Sequence, residues 1–272
     1  MATRKGIKLL SKVMARDPAV EHLCGLLTRS QRPDTPSDVA ESIHRVLGLI
    51  EARENYCQKL TMPEPPNTRM ICEKTYKMPW KKLFDEGKVK TEFSPVWMSG
   101  YGEAQFLQFL IRMQKAKRVL EIGMFTGYVA MAMAETLPED GVVVTCEIEP
   151  YLVEMARETF DGSPYGKKIE IRQGLALDSL DNLAEECQHF DIIYLDADKA
   201  TYPDYYKKIM DRSLLAPGAT LVVDNAFEIG LAYTESNSAV DRMNKIIMQD
   251  ERVDQIMLNV FDGMSLIRRK GE

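Results

Sequence analysis

From residue 117 onward the chain alternates strand-like and helix-like segments without a break, and that rhythm leaves few folds open. The strand-like runs are KRVLEIG (117–123), GVVVTCEIE (141–149), KKIEIRQG (167–174), FDIIYLDAD (190–198) and GATLVVDNA (218–226). Helical spacing fills the intervals at 127–138, 150–160, 176–187 and 202–214, with a further helix before them at 103–115. The runs around 119 and 192 are continuously apolar, as in strands covered on both faces. Such an order predicts a parallel, doubly wound sheet. After a helix at 238–250, two strands follow with no helix between them, 253–260 and 263–269, so they should pair antiparallel at one edge. The expected architecture is α/β, with a seven-stranded, mostly parallel sheet and a C-terminal hairpin.

Residues 1–95 differ in kind. SDVAESIHRVLGLIEARENYCQKL (37–60) has the periodicity of one amphipathic helix, capped by Ser37 or Asp38, and the prolines of TMPEPPNT (61–68) end it. No catalytic pattern occurs here. The expected division is a helical extension over 1–95, serving as a cap or dimer face, and an α/β domain over 96–272. Residues 1–16 carry Arg4, Lys5, Lys8, Lys12 and Arg16 and no acid. That composition suits a basic surface helix, with an organellar transit segment as the alternative.

The net charge of −6 argues against a nucleic-acid partner, and no apolar run approaches the ~20 residues that span a bilayer. Five scattered cysteines without a C-x-x-C pair fit reduced thiols, hence a cytoplasmic setting. Three histidines leave little material for a His-based metal site or triad.

In open α/β sheets ligands gather at the carboxyl ends of the strands. Gly123 and Gly127 flank the first turn there, spaced G-x-x-x-G. Met124 and Phe125 stand where a dinucleotide motif would keep room for a pyrophosphate, so a ligand without phosphate fits better. Glu147 ends the second strand, where an acid accepts hydrogen bonds from ribose hydroxyls. Glu121 lies inside an apolar strand and needs a partner, either a cationic ligand or nearby backbone amides. YLDADK (194–199) brings Asp196, Asp198 and Lys199 to the fourth strand end, and VVDNA (222–226) brings Asp224 and Asn225 to the fifth. Taken alone, D-A-D-K also suits a helix cap with a surface ion pair. Beside the D-N pair, Asp196, Asp224 and Asn225 form a hard-oxygen set suited to Mg²⁺. Lys199 is then a candidate base, provided that desolvation or the ion depresses its pKa.

Taken together, LEIGMFTGY (120–128), LPEDG (137–141), the D-A-D-K-x-x-Y run (196–202) and VVDN resemble the caffeoyl-CoA and catechol group of class I, metal-dependent O-methyltransferases. The resemblance covers roughly residues 95–269. It implies a Rossmann-like fold, S-adenosylmethionine (SAM) as methyl donor and a divalent ion on Asp196, Asp224 and Asn225. It further implies Lys199 as base, and cofactor contacts at Ser99, Gly123, Glu147, the backbone near Ala176, and Asp196 or Asp198. Tyr202 should line the pocket, and a homodimer acting on a small molecule is expected. Two departures stand out: Val129 replaces the Ser that follows T-G-Y in plant members, and AFEIGLAY (226–233) replaces T-L-W-x-G. MSGYGEAQ (98–105), LEIGMFTGY, the YLDADK run and DGMSLIRR (262–269) are similar to the O-methyltransferases of mycosporine biosynthesis, which implies demethyl-4-deoxygadusol as acceptor and 4-deoxygadusol as product. A nucleotide-dependent oxidoreductase is the competing enzyme class, and the missing middle glycine speaks against it. A non-catalytic scaffold would predict a broken acid set, and the set is complete.

Overall fold

A computed structural model describes residues 17–30, 37–235 and 237–272. The basic stretch 1–16, with its transit-segment alternative, lies outside the described residues. The chain divides into two compact units after Pro63. In the first, helix α1 (Pro18–Arg29) was not expected from the sequence. Asp17 caps it through Oδ1, which accepts from the amides of Ala19 (2.8 Å) and Val20 (3.2 Å), and Pro18 sits in its first turn. Helix α2 (Ser37–Leu60) has the expected bounds, and Leu47 packs with Val20 and Leu27.

The second unit is the α/β domain. It claims residues 64–95, which the sequence grouped with the extension. Helices α3 (Pro66–Lys77) and α4 (Trp80–Asp85) belong to it. Trp80, Leu83 and Val89 form one buried cluster with Leu152 and Met155, and the Thr75 hydroxyl donates to the Thr126 hydroxyl at 2.9 Å. Helical periodicity alone cannot show which partner an amphipathic face will find.

Strands β1 (Arg118–Ile122), β2 (Val142–Glu147), β3 (Ile169–Gln173), β4 (Phe190–Leu195), β5 (Leu215–Val223), β6 (Val253–Leu258) and β7 (Met264–Arg269) form one sheet in the order β3-β2-β1-β4-β5-β7-β6. The first five are parallel; β7 pairs antiparallel with both β5 and β6. The hairpin is at the edge as expected, and its second strand is the inner one. Leu120, Ile122, Ile193 and Leu195 face one apolar layer, and Val119, Ile192, Tyr194 and Val222 face the other. Helices α5 (Tyr101–Gln114) and α6 (Tyr128–Thr136) contribute to the second layer. Helices α8 (Ala176–Glu185), α9 (Tyr202–Asp211) and α11 (Ala239–Gln249) contribute to the first. Helix α7 (Pro150–Asp161) follows β2, and the short α10 (Leu231–Thr234) follows β5. This is the Rossmann-like arrangement of class I methyltransferases.

Candidate active site

Strand β1 stops at Ile122 because Gly123 turns the chain at φ 98°. A Cβ on Gly123 would lie 2.0 Å from the Asp196 carbonyl oxygen, so only glycine lets the ends of β1 and β4 meet this closely. Gly127 has its own steric reason, since a Cβ there would meet the Phe160 ring of α7 at 2.5 Å. Backbone bonds continue the contact along the sheet edge. Asp196 N–H donates to Ile122 O, and Asp224 N–H donates to Leu195 O, each at 3.0 Å. The acids that end β4 and β5 are therefore neighbours, as the sequence implied.

Asp224 is 2% exposed. Its Oδ2 accepts from the Tyr194 hydroxyl (3.0 Å) and its Oδ1 from the Asn225 amide (2.8 Å). Burial, reinforced by repulsion from Asp196, pushes its carboxyl up to about 7. Asp196 takes Lys199 Nζ on Oδ1 (2.8 Å) and the Ser99 hydroxyl on Oδ2 (3.2 Å). Asn225 follows at φ 52°, half-buried.

Lys199 also donates to the Tyr202 hydroxyl at 2.6 Å, and that hydroxyl donates to Asp224 O at 3.2 Å. Tyr202 is fully buried and holds Lys199 from the protein side. Burial works to lower the lysine's pKa, but Asp196, Tyr202 and Asp224 outweigh it and raise the pKa above its ordinary value. Desolvation thus does not make Lys199 a base; the surrounding carboxylates hold its proton in place.

The D-A-D-K run splits into two roles. Asp198 is exposed, and its oxygens accept from the Thr201 amide (3.2 Å) and the Tyr205 hydroxyl (2.8 Å). It is the cap of the turn that enters α9, as the simpler reading allowed, and only Asp196 faces Asp224.

Glu147 is 8% exposed and accepts from the amides of Phe125 and Glu149, both at 2.8 Å. Burial raises its pKa, and the amides oppose the rise. Each oxygen keeps lone-pair capacity for a ligand hydroxyl. Beside it, Gly174 N–H donates to Glu147 O (2.9 Å), and a Cβ on Gly174 would find nothing within 4 Å. Ala176 opens α8 from this open turn. Ile148 and Leu175, each 57% exposed, are apolar side chains left uncovered on the two loops. Glu121 is 1% exposed. Its partner is the Thr145 hydroxyl on β2, and burial raises its pKa well above the carboxylate range. The acid thus has a partner within the sheet, the hydroxyl of a neighbouring strand.

Sequence reasoning missed Tyr194, Glu149 and the rings around Phe125. Tyr194 lies in one row across the sheet with Glu121 and Thr145, legible only once the register is known. Glu149 is buried, and its Oε2 accepts from the Lys90 amide at 2.9 Å. Phe125 packs against Trp80 (5.6 Å) and Phe93 (5.7 Å), and Phe93 against Trp97 (5.6 Å), so residues 80–97 cover the glycine turn. Among the described residues no group of three or more His, Cys, Asp and Glu side chains gathers as a metal cluster. The expected set has only two carboxylates, with an amide as its third member.

A model of the O-methyltransferase family matches residues 76–270. Caffeoyl-CoA O-methyltransferase 2 of Zea mays is 31% identical over 220 residues, which cover 76% of this chain and 77% of that one. Caffeoyl-CoA O-methyltransferase 1 of Arabidopsis thaliana is 30% identical over 220 residues, 76% and 79% of the two chains. Among solved structures, an SAH-bound methyltransferase from Podospora anserina superposes with a TM-score of 0.71 at 29% identity, over 82% of this chain and 96% of that one. An O-methyltransferase of tomaymycin synthesis from Streptomyces achromogenes, in complex with SAM, gives 0.67 at 26% identity over 81% and 96%. The sheet order, the acids at its carboxyl edge and these likenesses agree: the chain belongs to the SAM-dependent O-methyltransferase family.

Proposed function

We propose that this enzyme transfers the methyl group of SAM to one of two adjacent oxygens on a small ring acceptor, with Mg²⁺ held by Asp196, Asp224 and Asn225. One observation carries the reading. Asp196 and Asp224 lie at adjoining strand ends with Lys199 as counter-charge, and burial, reinforced by repulsion from Asp196, pushes Asp224 up to about 7. Hard oxygen donors carrying surplus negative charge fit a divalent ion. Such an ion would hold both acceptor oxygens and lower their pKa.

The SAM seat runs along the same edge: Glu147 for the ribose hydroxyls, with Ser99, Gly123, Gly127, Ala176 and Asp196 around it. Glu121 supports this seat from inside the sheet, and Asp198 is left to its cap. Lys199 would serve as the base if a bound ion neutralised the carboxylates that hold its proton. SAM supplies the methyl group, which the deprotonated acceptor oxygen takes in line from sulfur. The chain's main contribution is to hold that oxygen in attacking geometry. The names of the plant relatives favour a phenolic acceptor. Demethyl-4-deoxygadusol rests on the resemblance carried by MSGYGEAQ, LEIGMFTGY, the YLDADK run and DGMSLIRR; its two vicinal oxygens suit the same site.

The test is transfer from labelled SAM to catechol, caffeoyl-CoA and demethyl-4-deoxygadusol, with Mg²⁺ and with EDTA. Transfer that EDTA abolishes supports the reading, and transfer untouched by EDTA removes the ion from it. Lys199→Met should lower kcat at least ~10²-fold, the range of general-base catalysis, with the Kd for SAM unchanged. An unaltered kcat would end its role as base. Glu147→Ala should weaken SAM binding about 10-fold or more, since hydrogen bonds to a charged group contribute about 1.5–3 kcal/mol. Calorimetry that finds the same Kd would put the ribose elsewhere.

A further inference from the structure

The turn after the Asp224–Asn225 pair is costly to build. Asn225, Glu228 and Ile229 all adopt left-handed backbone (φ 52°, 50° and 53°) without being glycine, and Gly230 follows at 86°. Each such residue costs on the order of 1 kcal/mol or more, and such strain persists only where surrounding structure enforces it. The enforcing contacts come from the corner before β7. The Ile229 amide donates to both Asp262 carboxylate oxygens (3.0 and 2.9 Å), the Phe227 amide to Asp262 O (3.0 Å) and the Ala226 amide to Gly263 O (2.9 Å). Asn244 Nδ2 adds a bond to Ala226 O at 3.0 Å. The turn is tied back to the site as well, since the Glu228 amide donates to Asn225 O at 2.9 Å.

Within this fastened turn, Glu228 Oε2 is shut off from solvent and has no hydrogen-bond partner. Among the described residues no lysine or arginine pairs with it. Carboxylate oxygens buried without a donor are rare because each forfeits its hydration. The loop around it is otherwise apolar, with Phe227 and Tyr233 in edge-to-face contact (5.7 Å) and Ile229 and Leu231 exposed.

We infer that Glu228 is a specificity-determining residue: it receives a hydrogen-bond donor, a hydroxyl or an ammonium, carried by the acceptor apart from its two vicinal oxygens. The inference rests on the acceptor site proposed above and narrows its substrate class. Flat catechols leave Glu228 unsatisfied. Acceptors bearing a second polar arm satisfy it, and Asp262 is the positioning residue that keeps the turn in place. A site built to bond a substrate O–H or N–H discriminates strongly against the analogue lacking it, because its own polar group is left unpaired.

Three acceptors with the same vicinal pair test this: catechol, 3,4-dihydroxybenzyl alcohol and 3,4-dihydroxybenzylamine. The wild type should favour at least one of the latter two over catechol by about 10-fold or more in kcat/KM. Glu228→Leu should bring that ratio to about 1, with the KM for SAM unchanged. Glu228→Gln separates the arms: a hydroxyl preference survives in part, and an ammonium preference is lost with the charge. A wild type without preference, or a Glu228→Leu enzyme that keeps its ratio, overturns the assignment of Glu228 alone. A uniform loss across all three acceptors reveals a purely structural role and overturns it too. A wild type that methylates none of them removes the acceptor site itself, and this inference with it.

Discussion

Replacing Asp224 by Asn should abolish metal-dependent methyl transfer, by about 10³-fold or more in kcat/KM, without lowering the melting temperature of the ion-free protein. The two halves of this expectation have different causes. The loss of activity follows from removing one of two charged oxygen donors at the site. Even the loss of a single neutral donor to a developing charge costs about 10²–10³-fold. The preserved stability follows from electrostatics. Asp224 is buried, and Asp196 repels it, so the folded protein without an ion tolerates the charge rather than gaining from it. Asn keeps the shape and removes the repulsion; its single oxygen still accepts from Tyr194, and the lost acceptor of the Asn225 amide offsets part of that gain. An Mg²⁺-dependent rise in melting temperature, expected of the wild type on the proposed ion site, should vanish in the variant. Melting curves with and without Mg²⁺, run beside the transfer assay, read both halves. Full activity in Asp224→Asn would sink the ion site; a sharp loss of stability would mean that the carboxylate serves the fold.

Gly123→Ala should be the most damaging single-methyl substitution in the glycine turn. The added Cβ would meet the Asp196 carbonyl oxygen at 2.0 Å, and both partners are backbone. No rotamer relieves the clash, so β1 and β4 must part at the end that carries the site. The φ of 98° adds about 1–3 kcal/mol of strain for a residue with a side chain. Together these costs should exceed ~4 kcal/mol, a large share of the about 5–15 kcal/mol that holds a domain folded. Denaturant unfolding should show the loss directly. Gly174→Ala is the matched control. It has an unusual φ of 131° but nothing within 4 Å of its missing Cβ, so its loss should be the φ strain alone. Equal losses at both positions would mean that the contact between β1 and β4 yields more easily than its geometry implies.

The strand–helix rhythm from residue 117 to the end was legible because it depends on local periodicity, and both faces of an inner strand must be apolar. The edge hairpin followed from the absence of a crossover helix. The pairing of Asp196 with Asp224 was legible for the same reason, since successive parallel strands put their carboxyl ends at one edge. The D-A-D-K run was harder. Spacing alone could not separate Asp196, aimed at Asp224, from Asp198, folded back onto Thr201 and Tyr205. Tyr202 and Lys199 show the same limit. The sequence placed both near the site, but depth of burial decided that Tyr202 is a support, and the neighbouring Asp196, Tyr202 and Asp224, against the effect of burial, decided that Lys199 keeps its proton. That residues 64–95 pack with the α/β unit was not legible, because an amphipathic helix announces an apolar face without naming its partner.

By itself, then, the sequence determined the α/β class, the sheet edge that carries the chemistry and the residue types gathered there, because these rest on periodicity and on the fixed polarity of parallel strands. The tertiary structure alone decided which acid faces Asp224 and which is a cap, that the glycine turn is roofed by the rings of residues 80–97, and that Glu228 Oε2 lacks a hydrogen-bond partner in a strained turn. Those outcomes depend on contacts between segments far apart in the chain, where burial and neighbouring charge, not local order, set what each side chain can do.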